Sequence, residues 1–470
     1  MSRLLSNLPI ENLTHENDYI GIIEKGNLIK SFFLANKQEF SEIKFFSIYG
    51  DWGSGKSTLM KYVEKELRSS FNPFFFEAWQ FESDANLASS LLEFLAKKSN
   101  TKVDNFLKNG SKLLEGFAKS VTFKTPIANF NMPTMIDHLD EQTFFELKEQ
   151  FSRDFINWET QITKGEKAPK YNIVFIDDLD RCEPENVLNL LSAIKLFFTF
   201  GKKTIFLCGI DKKAVIEAVK TKYGEVVKAN EYLEKVFDIS FSMPQSVDVS
   251  KLVNQYFDDS EIVKEDKLGD LINNFFKDIH FQNPRRIKKI LNKYLIIRRL
   301  KENDVSGDLM LPNIIHNNSG TLFETYLTLY LLILNEFEPK NFKLLFNFST
   351  KRVKYNESLR VNYTDFRKFT EASSNFFSSL EENVVDLKIS DLSSRKYIEV
   401  AVAFAPIEVE NLKMFAFGSY KEYLNYFNVL NKSYEYYFTL LILKNENILN
   451  DNSESEYNLL EYKKMITNLI

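Results

Sequence analysis

The sequence predicts an α/β protein with a mostly parallel sheet and a mainly helical C-terminal region. Two observations carry this prediction. Short apolar runs alternate with helical patterns between residues 43 and 244, as in folds whose parallel strands are joined by helices. After Pro244 the strand-like runs largely stop and helical patterns dominate.

Five runs are predicted to be the strands of this sheet. Each is almost continuously apolar, β-branched or aromatic, which is typical of strands covered on both faces. Helical patterns over residues 56–69 and 185–199 lie among them and favour parallel pairing. The five runs are residues 43–49, 73–79, 171–177, 203–209 and 237–243.

One spacing is too long for a plain alternation of strands and helices. Asp177 follows Lys56 by 121 residues (177 − 56), with one clear strand between them. A strand–helix–strand unit takes ~30 residues, so roughly half of this length is surplus. The surplus lies at about 91–166, is polar and helical in pattern, and is broken near 124–133. We predict a helical insertion here.

The chain is predicted to have four parts. A core domain that includes the insertion is followed by a helical lid, a polar and turn-rich linker, and a mainly helical C-terminal domain rich in Phe, Tyr, Leu, Asn and Lys. These parts are residues 1–248, 249–306, 307–320 and 321–470.

Composition and charge exclude several classes of protein. A net charge of -5 argues against broad, non-specific nucleic-acid binding. The two cysteines, Cys182 and Cys208, are too few for a disulfide framework or a zinc site, which favours a reducing cytosol. The most apolar stretch, residues 325–334, is about half of the ~20 residues that a membrane span needs. We therefore expect a cytoplasmic protein without a membrane span.

A glycine-rich motif lies between the first predicted strand and the first long helix. It fits G-x-x-x-x-G-K-[ST] at every position and has the strand–loop–helix context of a phosphate-binding loop. The glycines let backbone N–H groups point at phosphate oxygens, the lysine reaches the β- and γ-phosphates, and the serine hydroxyl ligates Mg²⁺. The residues are Gly50, Asp51, Trp52, Gly53, Ser54, Gly55, Lys56 and Ser57, followed by Thr58.

Two acids end the buried strand at residues 171–177. Asp177 at the strand tip is predicted to hold Mg²⁺, directly or through water, together with Ser57. Asp178 is predicted to orient and polarise the attacking water in nucleotide hydrolysis. The alternative is that Asp178 only caps the following helix.

Two other polar residues are weaker candidates. Arg181 either reaches a phosphate or a neighbouring subunit, or pairs with Asp180. Asp211 follows the fourth predicted strand, where it either senses the γ-phosphate or caps the next helix.

The predicted lid contains a basic run at Asn283–Lys301, with eight Lys and Arg residues and no acid. Arg285 or Arg286, next to Pro284, is the candidate to close over the nucleotide. The other basic residues either bind nucleic acid or belong to a solvated helix face.

These motifs together resemble the KAP family of P-loop NTPases. The resemblance is carried by GDWGSGKST (50–58) and IDDLDRC (176–182), supported by FFEAWQFE (75–82), YLEKVFDISFSMP (232–244) and FQNPRRIKKILN (281–292). It covers roughly residues 18–292. It implies an ATPase core related to the STAND and AAA+ classes, with strand order 5-1-4-3-2 and a helical lid.

The resemblance also implies ligands and a role. The ligands are ATP and Mg²⁺, with Tyr19 and Ile20 in the segment that packs on the adenine. Insertions in the family often carry transmembrane helices, but here the insertion has no apolar run of that length. Bacterial members are associated with phage exclusion and signalling, and the Lys-, Asn- and Ile-rich composition resembles bacterial proteins.

Three functions fit these features. The first is an ATP-driven conformational switch in bacterial anti-phage defence or signalling, acting alone or as a homo-oligomer. The second is an ATPase motor stimulated by nucleic acid, based on residues 283–301. The third is a scaffold that binds nucleotide without turnover. A protein or nucleic-acid partner is expected at the C-terminal domain or the basic run.

Overall fold

A computed structural model describes residues 4–303 except for 85, 100–103, 122–140, 166–167, 224–228, 245–247, 264 and 280, together with 322–339, 342 and 464–468. Two compact units are defined by internal contacts. One is Leu8–Val247, and the other combines Met1–Asn7 with Asp248–Ile470. The predicted linker and most of the predicted C-terminal domain lie outside the described residues.

The first unit is built on a parallel five-stranded sheet. Its order is β2-β3-β4-β1-β5, with all four strand pairs parallel. Read from the other edge this is 5-1-4-3-2, so the predicted fold class and strand order are confirmed. The strands are β1 (Phe45–Tyr49), β2 (Phe71–Glu77), β3 (Tyr171–Asp177), β4 (Thr204–Ile210) and β5 (Ile239–Ser242).

The central strands are buried because apolar side chains alternate between two packed layers. On β1, Phe45 belongs to one hydrophobic cluster and Phe46 to the other. On β3, Val174 and Phe175 divide in the same way. Successive side chains of a strand point to opposite faces, so a continuous apolar run supplies both layers of the core.

Helices cover the two faces of the sheet. They are α1 (Ile22–Ala35), α2 (Lys56–Leu67), α6 (Pro184–Phe197), α7 (Lys212–Tyr223) and α8 (Ala229–Val236). The predicted helices at 56–69 and 185–199 correspond to α2, which starts as predicted and ends two residues earlier, and to α6, whose ends lie one and two residues earlier. The start of α6 follows the preference of proline for a first helical position.

The residues between β2 and β3 form three helices in the described ranges. They are α3 (Leu87–Lys98), α4 (Asp104–Val121) and α5 (Glu141–Ile162). The ring of Phe106 on α4 stacks on Trp158 of α5, with 5.6 Å between the ring centroids. The break predicted near 124–133 lies outside the described residues.

Helix α5 is tied to the base of the sheet through one buried carboxylate. Glu159 is 2% exposed and accepts hydrogen bonds from the backbone N–H groups of Lys202 (2.9 Å) and Lys203 (2.6 Å). It also accepts one from the Thr204 hydroxyl at 2.8 Å. The insertion therefore supplies acceptors for the chain that enters β4.

In its described part the second unit is mainly helical. Its elements are α9 (Ser250–Val253), β6 (Ile262–Val263), β7 (Asp266–Lys267), α10 (Leu268–Asp278), α11 (Pro284–Asn303) and α12 (Leu322–Phe337). The antiparallel β6–β7 pair was not predicted, since strands of two residues leave no alternation pattern to detect.

The most apolar stretch of the sequence lies in α12, where residues 328–334 are buried. Among the helices of the described residues, none combines the length and apolar character needed to span a membrane.

Candidate functional site

The glycine-rich loop joins the end of β1 at Tyr49 to the start of α2 at Lys56. Gly53 and Gly55 have φ angles of 83° and 99°, which side-chain-bearing residues rarely adopt. A Cβ atom on Gly50 would come within 2.5 Å of Ser54 Oγ and 2.7 Å of Met243 Cγ. The loop therefore requires glycine for backbone conformation at two positions and for space at a third.

Lys56 is folded over this loop. Its Nζ donates hydrogen bonds to the carbonyl oxygens of Gly50 (2.8 Å) and Asp51 (3.2 Å), and the residue is 6% exposed. The ammonium group is thus held at the loop by backbone oxygens.

Ser57 and Asp177 are brought together at the tips of α2 and β3. Burial raises the pKa of Asp177 above its usual value, while the nearby Ser57 hydroxyl and Asp178 backbone N–H act in the opposite direction. A hydroxyl and one buried carboxylate match the few protein ligands that Mg²⁺ takes when phosphates supply the others.

Asp178 has an unusual backbone conformation. Its φ of 57° and ψ of 28° place it in the left-handed region, and it is the one non-glycine residue with positive φ in the described part of the chain. The side chain makes no capping hydrogen bond to the 3₁₀ turn Leu179–Arg181. Instead its Oδ1 lies 3.2 Å from Arg181 Nε. The ion pair of Arg181 is therefore with Asp178 rather than with Asp180.

Asp211 braces the glycine-rich loop from β4. Its Oδ2 accepts a hydrogen bond from the backbone N–H of Trp52 at 3.0 Å. Its Oδ1 accepts from the N–H of Lys213 at 3.0 Å, as a helix cap does. The capping interaction is thus present, and sensing of the γ-phosphate stays a prediction.

The remaining residues predicted to bind the nucleotide are Thr58, Ile20 and Tyr19, and their surroundings differ. Thr58 is 9% exposed, and its hydroxyl accepts a hydrogen bond from the Ile10 N–H at 3.2 Å. Ile20 lies against the loop, since its Cδ1 would be 3.1 Å from a Cβ on Gly55. Tyr19 is buried, 8% exposed. Adenine contact by Tyr19 and Ile20 stays a prediction.

The basic run forms α11 in the second unit, so Arg285 is not part of the unit that carries the glycine-rich loop. Within α11, Lys289 and Lys293 both pair with Glu336 of α12. Arg298 Nη1 pairs with Glu261 at 2.6 Å. Closure of Arg285 over a nucleotide stays a prediction.

Four contacting residues were missed by the sequence analysis. Met243 packs beneath Gly50, and Met60 lies against Gly209, where an added Cβ would be 2.9 Å from its sulfur. The Arg181 guanidinium lies over the ring of Trp79. Glu82 accepts a hydrogen bond from the backbone N–H of Glu183, after the 3₁₀ turn. Trp79 and Glu82 lie in the motif at 75–82 and Met243 in that at 232–244, but their contacts depend on neighbours distant in sequence.

The polar atoms of the loop fit a phosphate group. Ser54 Oγ is buried and has no hydrogen-bond partner among the described residues. Two left-handed glycines flank it, and the N-terminus of α2 follows directly. Helix N-termini and N–H-lined loops favour anions. The described residues contain no cluster of three potential His, Cys, Asp or Glu metal ligands. Binding of Mg²⁺ by Ser57 and Asp177 stays a prediction.

Comparison with protein families finds a match over most of this region. A family model described as the KAP family P-loop domain matches residues 29–301, more than half of the 470-residue chain.

Two proteins of Methanocaldococcus jannaschii are similar in sequence. The uncharacterized protein MJ0181 is 39% identical over 111 residues, which are 22% of this chain and 44% of that protein. The uncharacterized protein MJ0182 is 31% identical over 162 residues, 27% of this chain and 84% of that protein. The chain thus spans less than half the length of the first relative.

Two solved structures are also similar. One is a Walker-type ATPase of Pyrococcus abyssi. Its alignment with this chain has a TM-score of 0.32 and 11% identity, and covers 93% of this chain and 99% of the ATPase chain. The ORC2 protein of Aeropyrum pernix, solved as ADPNP–ADP complexes, has a TM-score of 0.32 at 11% identity and covers 96% and 98%. The fold assignment rests on the observed sheet order rather than on these likenesses.

Proposed function

The chain belongs to the KAP family of P-loop NTPases, and we propose that it binds Mg-ATP and hydrolyses the bond between the β- and γ-phosphates. The observation that carries the proposal is the position of the Ser57 hydroxyl and the Lys56 ammonium group near the buried Asp177 carboxylate, beside the glycine-rich loop. A hydroxyl, a carboxylate and an ammonium group thus meet where β1 and β3 end. Mg-nucleotide sites of P-loop enzymes require this set of groups.

Each residue has a defined task in this proposal. The loop N–H groups and the N-terminus of α2 bind phosphate oxygens. Lys56 exchanges its carbonyl partners for β- and γ-phosphate oxygens. Ser57 and Asp177 would hold Mg²⁺, which neutralises charge on those phosphates when bound.

Asp178 is proposed to orient the attacking water. The water oxygen forms a bond to the γ-phosphorus, and the bond from that phosphorus to the β–γ bridging oxygen breaks. ADP leaves with the bonding electron pair, and the proton lost by the water ends on phosphate or solvent. A fixed carboxylate aligns the water and stabilises its positive charge as it attacks.

We further propose that ATP binding switches the position or contacts of the second unit. The motive is that the nucleotide motifs lie in one unit and the remaining chain in another. Anti-phage defence or signalling as the output is a prediction from the family resemblance.

The nucleic-acid motor is disfavoured by the basic run itself. Lys289, Lys293 and Arg298 are engaged by carboxylates inside the second unit. Lys288 donates to the Ser6 carbonyl oxygen at 3.2 Å, and burial lowers its pKa. A side chain held in this way has to give up its partner before it contacts phosphate.

Phosphate release from Mg-ATP tests the proposal. Wild-type protein should release phosphate, while Asp178→Asn should retain ATP binding and lose on the order of 100-fold or more in turnover. Asparagine tolerates the left-handed backbone, so the fold should be kept. Wild-type binding without turnover would identify the nucleotide-binding scaffold instead. Several-fold stimulation by DNA or RNA that falls steeply with salt would identify the motor.

A further inference from the structure

We propose that Arg181 is a positioning residue that fixes the Asp178 carboxylate, and that Trp79 in turn fixes Arg181. This inference rests on the proposed hydrolysis of ATP, because it assigns a task to a neighbour of the proposed water-orienting acid. Trp79 lies in the turn Ala78–Phe81 after β2, Arg181 lies in the turn Leu179–Arg181 after β3, and Asp178 directly precedes the second turn.

The contact between Arg181 and Asp178 has two parts. Arg181 Nε lies 3.2 Å from Asp178 Oδ1, and the Arg181 backbone N–H donates to the Asp178 carbonyl oxygen at 3.2 Å. The two side chains are 35% and 23% exposed. An isolated pair of this exposure contributes little to stability. Its value lies in restricting the rotamers of a carboxylate.

Trp79 holds the other side of the guanidinium group. The guanidinium carbon of Arg181 lies 5.2 Å from the centroid of the Trp79 ring, within the range of a cation–π contact. Arginine is suited to this arrangement because its planar group stacks on a ring while a nitrogen at its edge binds a carboxylate. Trp79 is 52% exposed, so the contact does little for the hydrophobic core.

Glu82 anchors the same two segments without help from Arg181. Its Oε1 accepts hydrogen bonds from the Glu183 backbone N–H at 2.6 Å and from Asn186 Nδ2 at 3.4 Å. The turn after β2 is therefore attached to the start of α6 even when the Arg181 contact is removed. This makes a change at Arg181 separable from a collapse of the turns.

The left-handed backbone of Asp178 supports a functional reason for restricting its carboxylate to one position. A non-glycine residue in this region is held there by its surroundings against a steric cost, and such positions cluster at functional sites. The Asp178 carbonyl oxygen accepts a hydrogen bond from the Arg181 backbone N–H, and the Arg181 side chain pairs with the Asp178 carboxylate. A group that orients water has to be placed to a fraction of an ångström.

The test is steady-state ATP hydrolysis by Arg181→Gln, Arg181→Lys, Trp79→Phe and Trp79→Ala, with Arg153→Gln as the matched control. Arg153 forms an exposed helix pair with Glu149 on α5, at 76% and 73% exposure. Arg181→Gln should lower kcat between roughly tenfold and hundredfold with KM within about twofold of wild type. Arg181→Lys should lie between Arg181→Gln and wild type.

The tryptophan variants should show graded losses. Trp79→Ala should lower kcat by roughly two- to fivefold, the size of an exposed cation–π contact, and Trp79→Phe should lose less because it keeps an aromatic face. Arg153→Gln should match wild type. Melting temperatures and binding of a fluorescent ATP analogue check that all variants are folded.

The decisive comparison is the double variant. In an Asp178→Asn background, Arg181→Gln should cause no further loss of kcat, because the carboxylate that it positions is already absent. A full further loss, an Arg181→Gln kcat equal to wild type, or a loss expressed in KM alone would each overturn the inference. The proposed hydrolysis survives those results. Absence of turnover in the wild type would instead remove both proposals.

Discussion

The glycine-rich loop and helix α11 both concentrate positive charge or partial charge, but the groups that contact this charge differ between the two regions. At the loop, Lys56 is 6% exposed and bonded to neutral carbonyl oxygens. On α11, Lys289 and Lys293 share the carboxylate of Glu336. The ammonium of Lys56 keeps its net charge available to an anion, whereas Lys289 and Lys293 already contact a shared negative charge.

Basic residues in a sequence motif can therefore either bind an anion or interact with other groups of the protein. Every basic residue of the α11 run has an interaction partner within the structure, including Arg286, whose guanidinium lies 4.9 Å from the Phe337 ring centroid. The number of lysines and arginines in a segment therefore says less about phosphate binding than the charge of the groups that already contact them.

The largest effect is expected for Lys56→Ala. Removing the ammonium group that the loop carbonyls hold should weaken binding of a fluorescent ATP analogue by at least roughly 100-fold, as loss of a charged group from a buried phosphate site does. The matched control is Lys289→Ala on α11, which should leave ATP affinity within about twofold. Near-native affinity of Lys56→Ala would remove the contrast between the two regions.

The next effect is expected for Asp177→Asn, with opposite signs for binding and for stability. Burial raises the pKa of Asp177, with the nearby Ser57 hydroxyl and Asp178 backbone N–H opposing the shift. The folded state then binds the proton more tightly than the unfolded state does. The free energy of unfolding therefore falls as pH rises from the unfolded pKa of Asp177 to its folded pKa, and the loss remains at higher pH. Asp177→Asn should therefore raise the melting temperature at pH 7.5 without nucleotide, by about 2 °C for roughly 1 kcal/mol.

Two further measurements sharpen this prediction. The gain of Asp177→Asn should shrink as pH falls and the wild-type carboxyl becomes protonated. Mg-ATP should stabilise the wild type by mass action and the variant much less. A lower melting temperature of the variant at pH 7.5 without nucleotide would contradict the assignment of burial as the dominant influence on Asp177.

The smallest effect is expected for Glu336→Gln. Burial opposes ionisation of Glu336, but hydrogen bonds from Lys289 and Lys293 lower its pKa on balance. Its contribution to stability is present above the unfolded pKa and is lost as pH falls through the lowered folded pKa. The substitution should cost about 1 kcal/mol in urea unfolding at pH 7 and progressively less in acid.

Glu336→Gln also tests whether pairing with Glu336 keeps the α11 lysines from binding nucleic acid. The freed lysines should increase binding of a DNA duplex in a salt-dependent way. Glu93→Gln is the control, because Glu93 pairs with Lys97 at an exposed position on α3. Strong DNA binding by the wild type, unchanged in Glu336→Gln, would show that the paired lysines do not set the affinity.

The sequence was most informative where structure depends on neighbours in the chain. The predicted strand at 171–177 coincides with β3, since a continuous apolar run ends at the two acids. The prediction for β2 was two residues late at both ends, since residues 73–79 were predicted and the strand is Phe71–Glu77. As the order places β2 at an edge of the sheet, proline is tolerated inside it.

The site followed the same division. The loop motif and the buried strand that ends at Asp177 were recognisable because each is a local pattern of residue types. Contacts such as Met243 beneath Gly50, or Trp79 on Arg181, join segments that are 193 (243 − 50) and 102 (181 − 79) residues apart. Such pairs depend on the assembled sheet, and no local pattern encodes them.

The buried carboxylate of Glu159 has a consequence for how this chain can be shortened. It accepts hydrogen bonds from Lys202, Lys203 and Thr204, where the chain enters the central strand β4. Excising the helices between β2 and β3 would leave these donors without their acceptor, at about 1–3 kcal/mol for each that stays buried. A minimal fragment that folds must therefore retain α5, and trimming is tolerated only in the part of the insertion distant from Glu159.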